Sequence, residues 1–387
     1  MKLRLIQPLL HVIIIFLLSA CSLPQVSAET RMFLDMSLNF LGAAELPAGH
    51  LSGVTYQIPG YTTTTASGTY FYGVSEQNDP TQGVSFYQLK LDLDNFSANS
   101  AEFSLTQEAV TPLKDQSGQL FDSETLKLES IAFSPRNSVF IAAEEVQDGR
   151  NIPLIGEFDL QTGQLKNTVP LPPMYRPTED VEQPETGIET NQGFRSLTIA
   201  PDGFSKGGVE PFRLFATTSA PLFQDLDADA TELRVLHYVI ADRASFLISE
   251  KLYSLESNSQ TDSPYRLADI IALPQSGHFL SLEQSHTSPG NPSKIYQIFT
   301  GSATDISRIA SLRQPTSNVE PLRKKLLLDL DNLGFALQHI EGMTLGPRLS
   351  TGEQSLILIT NNPDDSASAT QFLLFELNYS HPKTAET

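Results

Sequence analysis

The chain has 387 residues, no tryptophan and one cysteine, and its 45 acidic side chains outnumber 25 basic ones for a formal net charge of −20. A surface of that sign repels nucleic-acid phosphates and anionic headgroups, which excludes nucleic acid as a partner. One cysteine excludes an internal disulfide, and all-β arrays of this length routinely form one domain.

Lys2 and Arg4 precede an apolar run from Leu9 to Leu18 that is too short to span a bilayer comfortably, so the N-terminus reads as an export signal. It ends in Leu18-Ser19-Ala20-Cys21, which resembles the bacterial lipobox and makes the lone Cys21 the expected lipidation site. Ordinary cleavage after Val26-Ser27-Ala28 also satisfies the small-x-small rule. The expected organisation is a lipoprotein signal peptide at 1–20, a tether at 21–30 and a single domain at 31–380. The expected place is the bacterial cell envelope, lipid-anchored on the periplasmic side or the cell surface, with secretion as the alternative.

A strand near Met32–Phe40 comes first and belongs to no repeat. Five segments then share one pattern: Leu51–Tyr56, Leu128–Phe133, Phe194–Ile199, Leu267–Ala272 and Ile340–Leu345. Apolar residues fall at positions one, four and six, and a small or short residue falls at position three. The second positions are residues 52, 129, 195, 268 and 341, so the units repeat every 77, 66, 73 and 73 residues. Pro59, Pro135, Pro201, Pro274 and Pro347 follow the segments, and a second apolar run resumes each unit. The second unit reads as strands Glu129–Phe133, Val139–Glu144, Leu154–Asp159 and Leu165–Leu171. The fourth reads as Asp269–Leu273, His278–Glu283, Lys294–Phe299 and Ile306–Leu312. Four antiparallel strands repeated radially predict an all-β β-propeller of five or six blades. The fifth unit supplies three strands ending at Phe372–Leu377, so the N-terminal strand is expected to complete it and hide both sheet edges.

In an antiparallel hairpin, the start of one strand and the end of the next lie at the same end of the sheet. Ser52, Glu129, Arg195 and Glu341 at strand starts should therefore meet Glu76, Glu144, Ser219, Glu283 and Asn361 at strand ends. Glu145, Asn362, Asp364 and Asp365 lie just beyond. Carboxylates and amides around one opening form the oxygen-rich surroundings that Ca²⁺ takes. The expected metal set is Glu76, Glu129, Glu144, Glu283 and Glu341, and the expected substrate contacts are Arg195, Asn361 and Asn362. Asp225, Asp227 and Asp229 imitate an EF-hand start, but Ala230 and Leu236 replace its required Gly and Glu. Ser75 lacks the second Gly of a nucleophile elbow.

The Ser-Gly-Val opening with Tyr72-Gly-Val-Ser-Glu76, Glu129-Ser-Ile-Ala-Phe with Ala142-Ala-Glu-Glu145, Asn191 to Leu197, Ala268 to Leu273, and Ile340-Glu-Gly-Met with Thr360-Asn-Asn362 together resemble the bacterial phytase-like family described by esterase-like activity. The resemblance covers roughly residues 48 to 378. It implies a propeller, six-bladed in phytases of this type, and places acids at Glu129 and Glu341, the expected catalytic residues. Arg195 departs from it, because the family often has an acid at this repeat.

Two functions are consistent with these features. One is an extracytoplasmic hydrolase of phosphate or carboxylic esters, metal-assisted, acting on an anionic or ester small molecule. The other is a non-catalytic envelope propeller that binds a glycan, peptide or protein. In either case the chain is expected to be a monomer that meets the membrane only through its lipid.

Overall fold

Each repeat folds into one antiparallel sheet in the computed structural model. The structure describes residues 32–379 apart from 47–49, 62–67, 77–82, 94–95, 98–99, 102, 123, 148–149, 179–184, 205–210, 227–230, 258–264, 286–291, 314–317, 335–336, 338 and 362–368. Of its two units, Met1–Leu34 is described only at its last three residues, and Asp35–Thr387 holds all the described strands. The leader, the tether, Cys21 and Asn362 lie outside the described residues.

Strand β1 (Met36–Leu46) precedes the first repeat. Blade 1 contains β2 (Leu51–Tyr56), β3 (Thr69–Ser75) and β4 (Ser85–Asp92), then a short ribbon of β5 (Phe96–Ser97) and β6 (Ser100–Ala101), then β7 (Ser104–Pro112). Blade 2 is β8 (Leu126–Ser134), β9 (Ser138–Gln147), β10 (Arg150–Asp159) and β11 (Leu165–Thr168). Blade 3 is β12 (Ser196–Ile199), β13 (Phe212–Thr217), β14 (Glu232–Ile240) and β15 (Ser245–Ser254). Blade 4 is β16 (Arg266–Ala272), β17 (His278–Gln284), β18 (Ser293–Phe299) and β19 (Arg323–Asp329). Blade 5 is β20 (His339–Arg348), β21 (Gln354–Asn361) and β22 (Thr370–Tyr379). Strand β1 supplies its fourth strand by pairing antiparallel with β22, from Met36 opposite Tyr379 to Leu46 opposite Thr370. The ring thus closes by joining the start of the domain to its end.

The structure settles the blade count at five. It also corrects the fourth unit, whose outer strand is β19 rather than Ile306–Leu312. That segment is a run of turns whose Ile306 and Leu312 are buried against Leu252 of blade 3. An apolar spacing that suggested a strand serves here as a plug between blades.

Strands β2, β8, β12, β16 and β20 are the innermost of their blades and touch in a closed circle. The core lies between blades rather than within them, so central strands such as β21 are buried on both faces and read as a continuous apolar run. Phe140 of blade 2, for example, meets Phe212 of blade 3 edge-on with centroids 5.9 Å apart.

The short side chains of the repeat have a direct physical role. At every blade junction an oxygen from position three or five accepts the backbone N–H of the next inner strand. Thr55 takes Phe133 N at 3.0 Å, Ser130 takes Leu197 N at 3.1 Å, and Asp269 takes Met343 N at 2.9 Å. Thr344 takes Tyr56 N at 3.1 Å and so closes the circle. The junction of blades 3 and 4 has two such bonds, Ile270 N donating to Ser196 Oγ and Ala272 N to Thr198 Oγ1. Where position three is Gly53, position five is Thr55. A Cβ on Gly53 would lie 3.0 Å from the Ser130 Cα, so the close approach of these backbones requires glycine. Each such bond contributes on the order of 1 kcal/mol.

Candidate functional site: an arginine held among carboxylates

Position two of the repeat is where the strands break register. The ladder skips Ser52 between Leu51 and Gly53, Glu129 between Leu128 and Ser130, Ala268 between Leu267 and Asp269, and Glu341 between Ile340 and Gly342. A bulge leaves its extra residue unpaired and re-aims the side chain. In blade 3 the equivalent residue, Arg195, sits immediately before β12. Bulges at the ends of the inner strands explain how residues more than 60 apart in sequence meet.

Arg195 is the centre of the group. Its Nη1 donates to Glu129 Oε2 at 2.8 Å and lies 3.8 Å from Glu76 Oε2, and its Nη2 donates to Glu341 Oε2. Ala268, the matching residue of blade 4, has nothing beyond Cβ to stand between Arg195 and blade 5. The Arg195 side chain is 19 % exposed and that of Glu341 18 %, so both reach solvent, whereas Glu129 is sealed at 2 %. Beside them a cleft of about 300 Å³ is lined by His50, Ser52, Glu76, His339, Glu341 and Asn361.

One cation cannot neutralise three carboxylates in a poorly hydrated place. Burial pushes the Glu129 pKa up to about 7, with Arg195 opposing and Glu76 and Glu144 adding to the rise. Burial also disfavours the Arg195 charge, but Glu129, Glu341 and Glu76 outweigh it and hold the guanidinium pKa above its ordinary value. Asp269, one residue past the bulge in blade 4, is likewise raised to about 7 by burial, against bonds from Met343 N, Ser196 and Ile270 N. The sequence pattern treats Asp269 only as the short residue of its repeat. The signal was an acid at a position that otherwise carries Gly or Ser.

The remaining expected site residues are engaged elsewhere. Glu144 accepts from Asn151 Nδ2 at 2.5 Å and Asn191 N at 3.3 Å, and burial raises its pKa. A Cβ on Gly193 would come within 2.5 Å of Glu144 Oε1, so Glu144 and Gly193 fix the segment that delivers Arg195. Glu283 is fully buried and accepts from Tyr253 Oη, Lys324 Nζ at 2.7 Å and Glu256 N at 2.8 Å. Asn361 donates to Leu51 O at 3.0 Å and accepts from Thr370 Oγ1 at 2.8 Å, which ties blade 5 to blade 1 at the cleft wall. Ser219 donates to Gln192 Oε1. Asp225 forms a bidentate pair with Arg234, at 2.7 and 3.1 Å, instead of the opening of an EF-hand loop.

This arrangement bears on the expected calcium. Glu129 and Glu341 are committed to Arg195, Glu283 to Lys324 and Glu144 to amide donors, and the guanidinium occupies the middle of the ring. Among the described residues no three His, Cys, Asp or Glu side chains form a metal-ligand group. The donor set, as arranged, does not fit a divalent cation at the axis.

A family model described as phytase-like, esterase-like activity of phytase, matches residues 47–363, most of the chain. No curated protein matches the sequence. Among solved structures, the GH62 α-L-arabinofuranosidase catalytic domain of Coprinopsis cinerea is 10 % identical and has a TM-score of 0.40, with 89 % of this chain and 97 % of that chain covered. The GH43 endo-arabinanase of Bacillus licheniformis is 12 % identical, TM-score 0.36, with 84 % and 93 % covered. An exo-1,5-α-L-arabinanase from a bovine ruminal metagenomic library is 8 % identical, TM-score 0.41, with 88 % and 96 % covered. Likeness at this level carries no inference about activity.

Proposed function

Because this chain belongs to the phytase-like family described by esterase-like activity of phytase, we propose that it hydrolyses esters of phosphoric or carboxylic acids in the cleft beside Arg195. The observation that carries this reading is Glu341, which lines a 300 Å³ cleft and there pairs with the partly exposed Arg195 beside it. A guanidinium already fixed by carboxylates is a preorganised donor for the negative charge that develops on a phosphoryl or acyl oxygen. Glu341, partly exposed and in the cleft, is placed to take a proton from the attacking water. His339 and His50 line the same cleft and are the groups available to protonate the leaving alkoxide. Glu129 does not line the cleft. It acts by positioning Arg195 and, with its pKa near neutrality, by setting how much negative charge surrounds the guanidinium.

This chemistry needs no metal step. Hydrolysis of an aryl phosphate and an aryl acetate by the mature protein tests it, with Glu341→Gln and Arg195→Met as variants checked for folding by circular dichroism. Turnover that survives a chelator and falls in both variants is the expected result. Turnover abolished by the chelator would replace the arginine mechanism with a metal-assisted one. No turnover on either ester would leave a binding propeller with the same cleft. The cell-envelope location is a further proposal that rests on the leader and Cys21. Labelled fatty acid should enter the wild type and not Cys21→Ala.

A further inference from the structure

At the other end of the blades is a second, chemically different cavity. Inner strands β12 and β16 begin beside Arg195 and finish at Ile199 and Ala272, and there a cavity of about 150 Å³ opens between blades 3 and 4. Phe215, Val235, Phe279 and Ile298 supply apolar walls. Phe215 stacks on His237 with centroids 4.5 Å apart and 12° between planes, and meets Phe279 edge-on at 4.7 Å. A cavity of this volume lined by apolar side chains holds one six-membered ring.

The polar groups of the cavity favour an anion. Arg213 and Lys251 bring two positive charges and Asp202 one negative, a local excess of cation in a chain of net charge −20. Arg213 Nη1 lies 3.2 Å from His237 Nε2. A guanidinium only donates, so Nε2 accepts and the His237 proton sits on Nδ1. Burial, then Arg213 and Lys251, lower the His237 pKa to about 4, so the ring is neutral and adds no charge. The remaining Arg213 nitrogens have no hydrogen-bond or ion-pair partner among the described residues. Lys251 Nζ is turned toward Ala303 O at 2.9 Å. His278, 8 % exposed, also lines the cavity, and its Nδ1 has no hydrogen-bond partner among the described residues.

The geometry points to a second ligand site, separate from the Arg195 cleft, that takes a small aromatic carboxylate with its ring packed against the Phe215–Phe279 pair and its carboxylate on the planar fork of Arg213. A monocarboxylate matches both the single excess positive charge and the two-pronged donor. The site does not depend on whether the Arg195 cleft is catalytic.

The protein has no tryptophan, so ¹⁹F NMR of 4-fluorobenzoate titrated with the mature chain is a suitable probe, with uncharged 4-fluorotoluene as comparator. Saturable binding of the carboxylate is expected, weakened more than tenfold in Arg213→Gln, an exposed side chain whose loss leaves the fold intact, and unchanged in Arg195→Met. Absence of saturation up to about 10 mM, beyond the millimolar scale of weak specific sites, would overturn the proposal. So would undiminished binding in Arg213→Gln, or binding lost in Arg195→Met, which would place the carboxylate in the other cleft.

Discussion

Among the described residues two arginines, Arg195 and Arg234, each pair with more than one carboxylate, and they differ in one physical respect. Arg234 and its partners Asp225 and Glu250 are at most 1 % exposed, with contacts of 2.7 and 3.2 Å. Arg195 and Glu341 pair similarly but keep nearly a fifth of each side chain in solvent, beside a cleft. The sealed cluster also ties loops together, since Asp225 Oδ1 accepts from Leu312 N at 2.8 Å and Glu250 N donates to Asp305 at 3.0 Å. Identical chemistry therefore has two uses. Where water and ligand cannot reach, an ion group holds segments in place. Where they can, as at Arg195, it stays partly open to solvent beside a cleft.

The largest test of this contrast is Arg234→Met, which leaves Asp225 and Glu250 buried without their cation. It should cost about 3–5 kcal/mol of stability in denaturant unfolding. Arg195→Met should cost less stability, because Glu341 and Glu76 can hydrate through the cleft and Glu129 can take up a proton, but should lower ester turnover by roughly 10²–10³, as loss of a preorganised transition-state donor does. If the two variants behaved alike in both assays, exposure would not separate the clusters.

The pH dependence sharpens the same comparison. The Glu129 pKa rises from 4.5 to about 7 in the fold and that of Asp269 from 3.8 to about 7. Their neutral forms are thus favoured by folding. The stability they contribute is complete below their unfolded pKa values and is lost as pH rises through 7. Between pH 5 and 7 each group should contribute a decline of up to about 1.4 kcal/mol per pH unit. Glu129→Gln should flatten its share in thermal unfolding at pH 5, 6, 7 and 8, and an unchanged profile would show that Glu129 is ionised throughout. Smallest is the stapling of inner strands. Ser130→Ala, at a singly bonded junction, should cost about 1 kcal/mol. Thr198→Val should cost less, because Ser196 keeps a second bond across that junction.

Much of this was legible along the chain. The five-fold spacing of residues 52, 129, 195, 268 and 341 marked a ring of equivalent positions, since a repeated place in a repeated strand must return to the same radius. Glu129, Arg195 and Glu341 accordingly meet. The rule of matching strand ends was less reliable for Glu283, because a strand terminus places the backbone and not the side chain. Lys324, more than 40 residues away and on a strand the apolar spacing misplaced, determines where that carboxylate points.

By itself the sequence determined the blade, its period, the closure by an N-terminal strand and the return of Glu129, Arg195 and Glu341 to one place. These follow from local periodicity and from the need of a sheet to bury its faces and edges. Only the tertiary structure decided which carboxylates Arg195 binds, which ion group is sealed, and that Phe215, His237 and Phe279 enclose a cavity beside Arg213. Those outcomes depend on side chains from different blades and on the solvent left between them, and neither distance nor hydration across a junction is encoded in the spacing of residues along one strand.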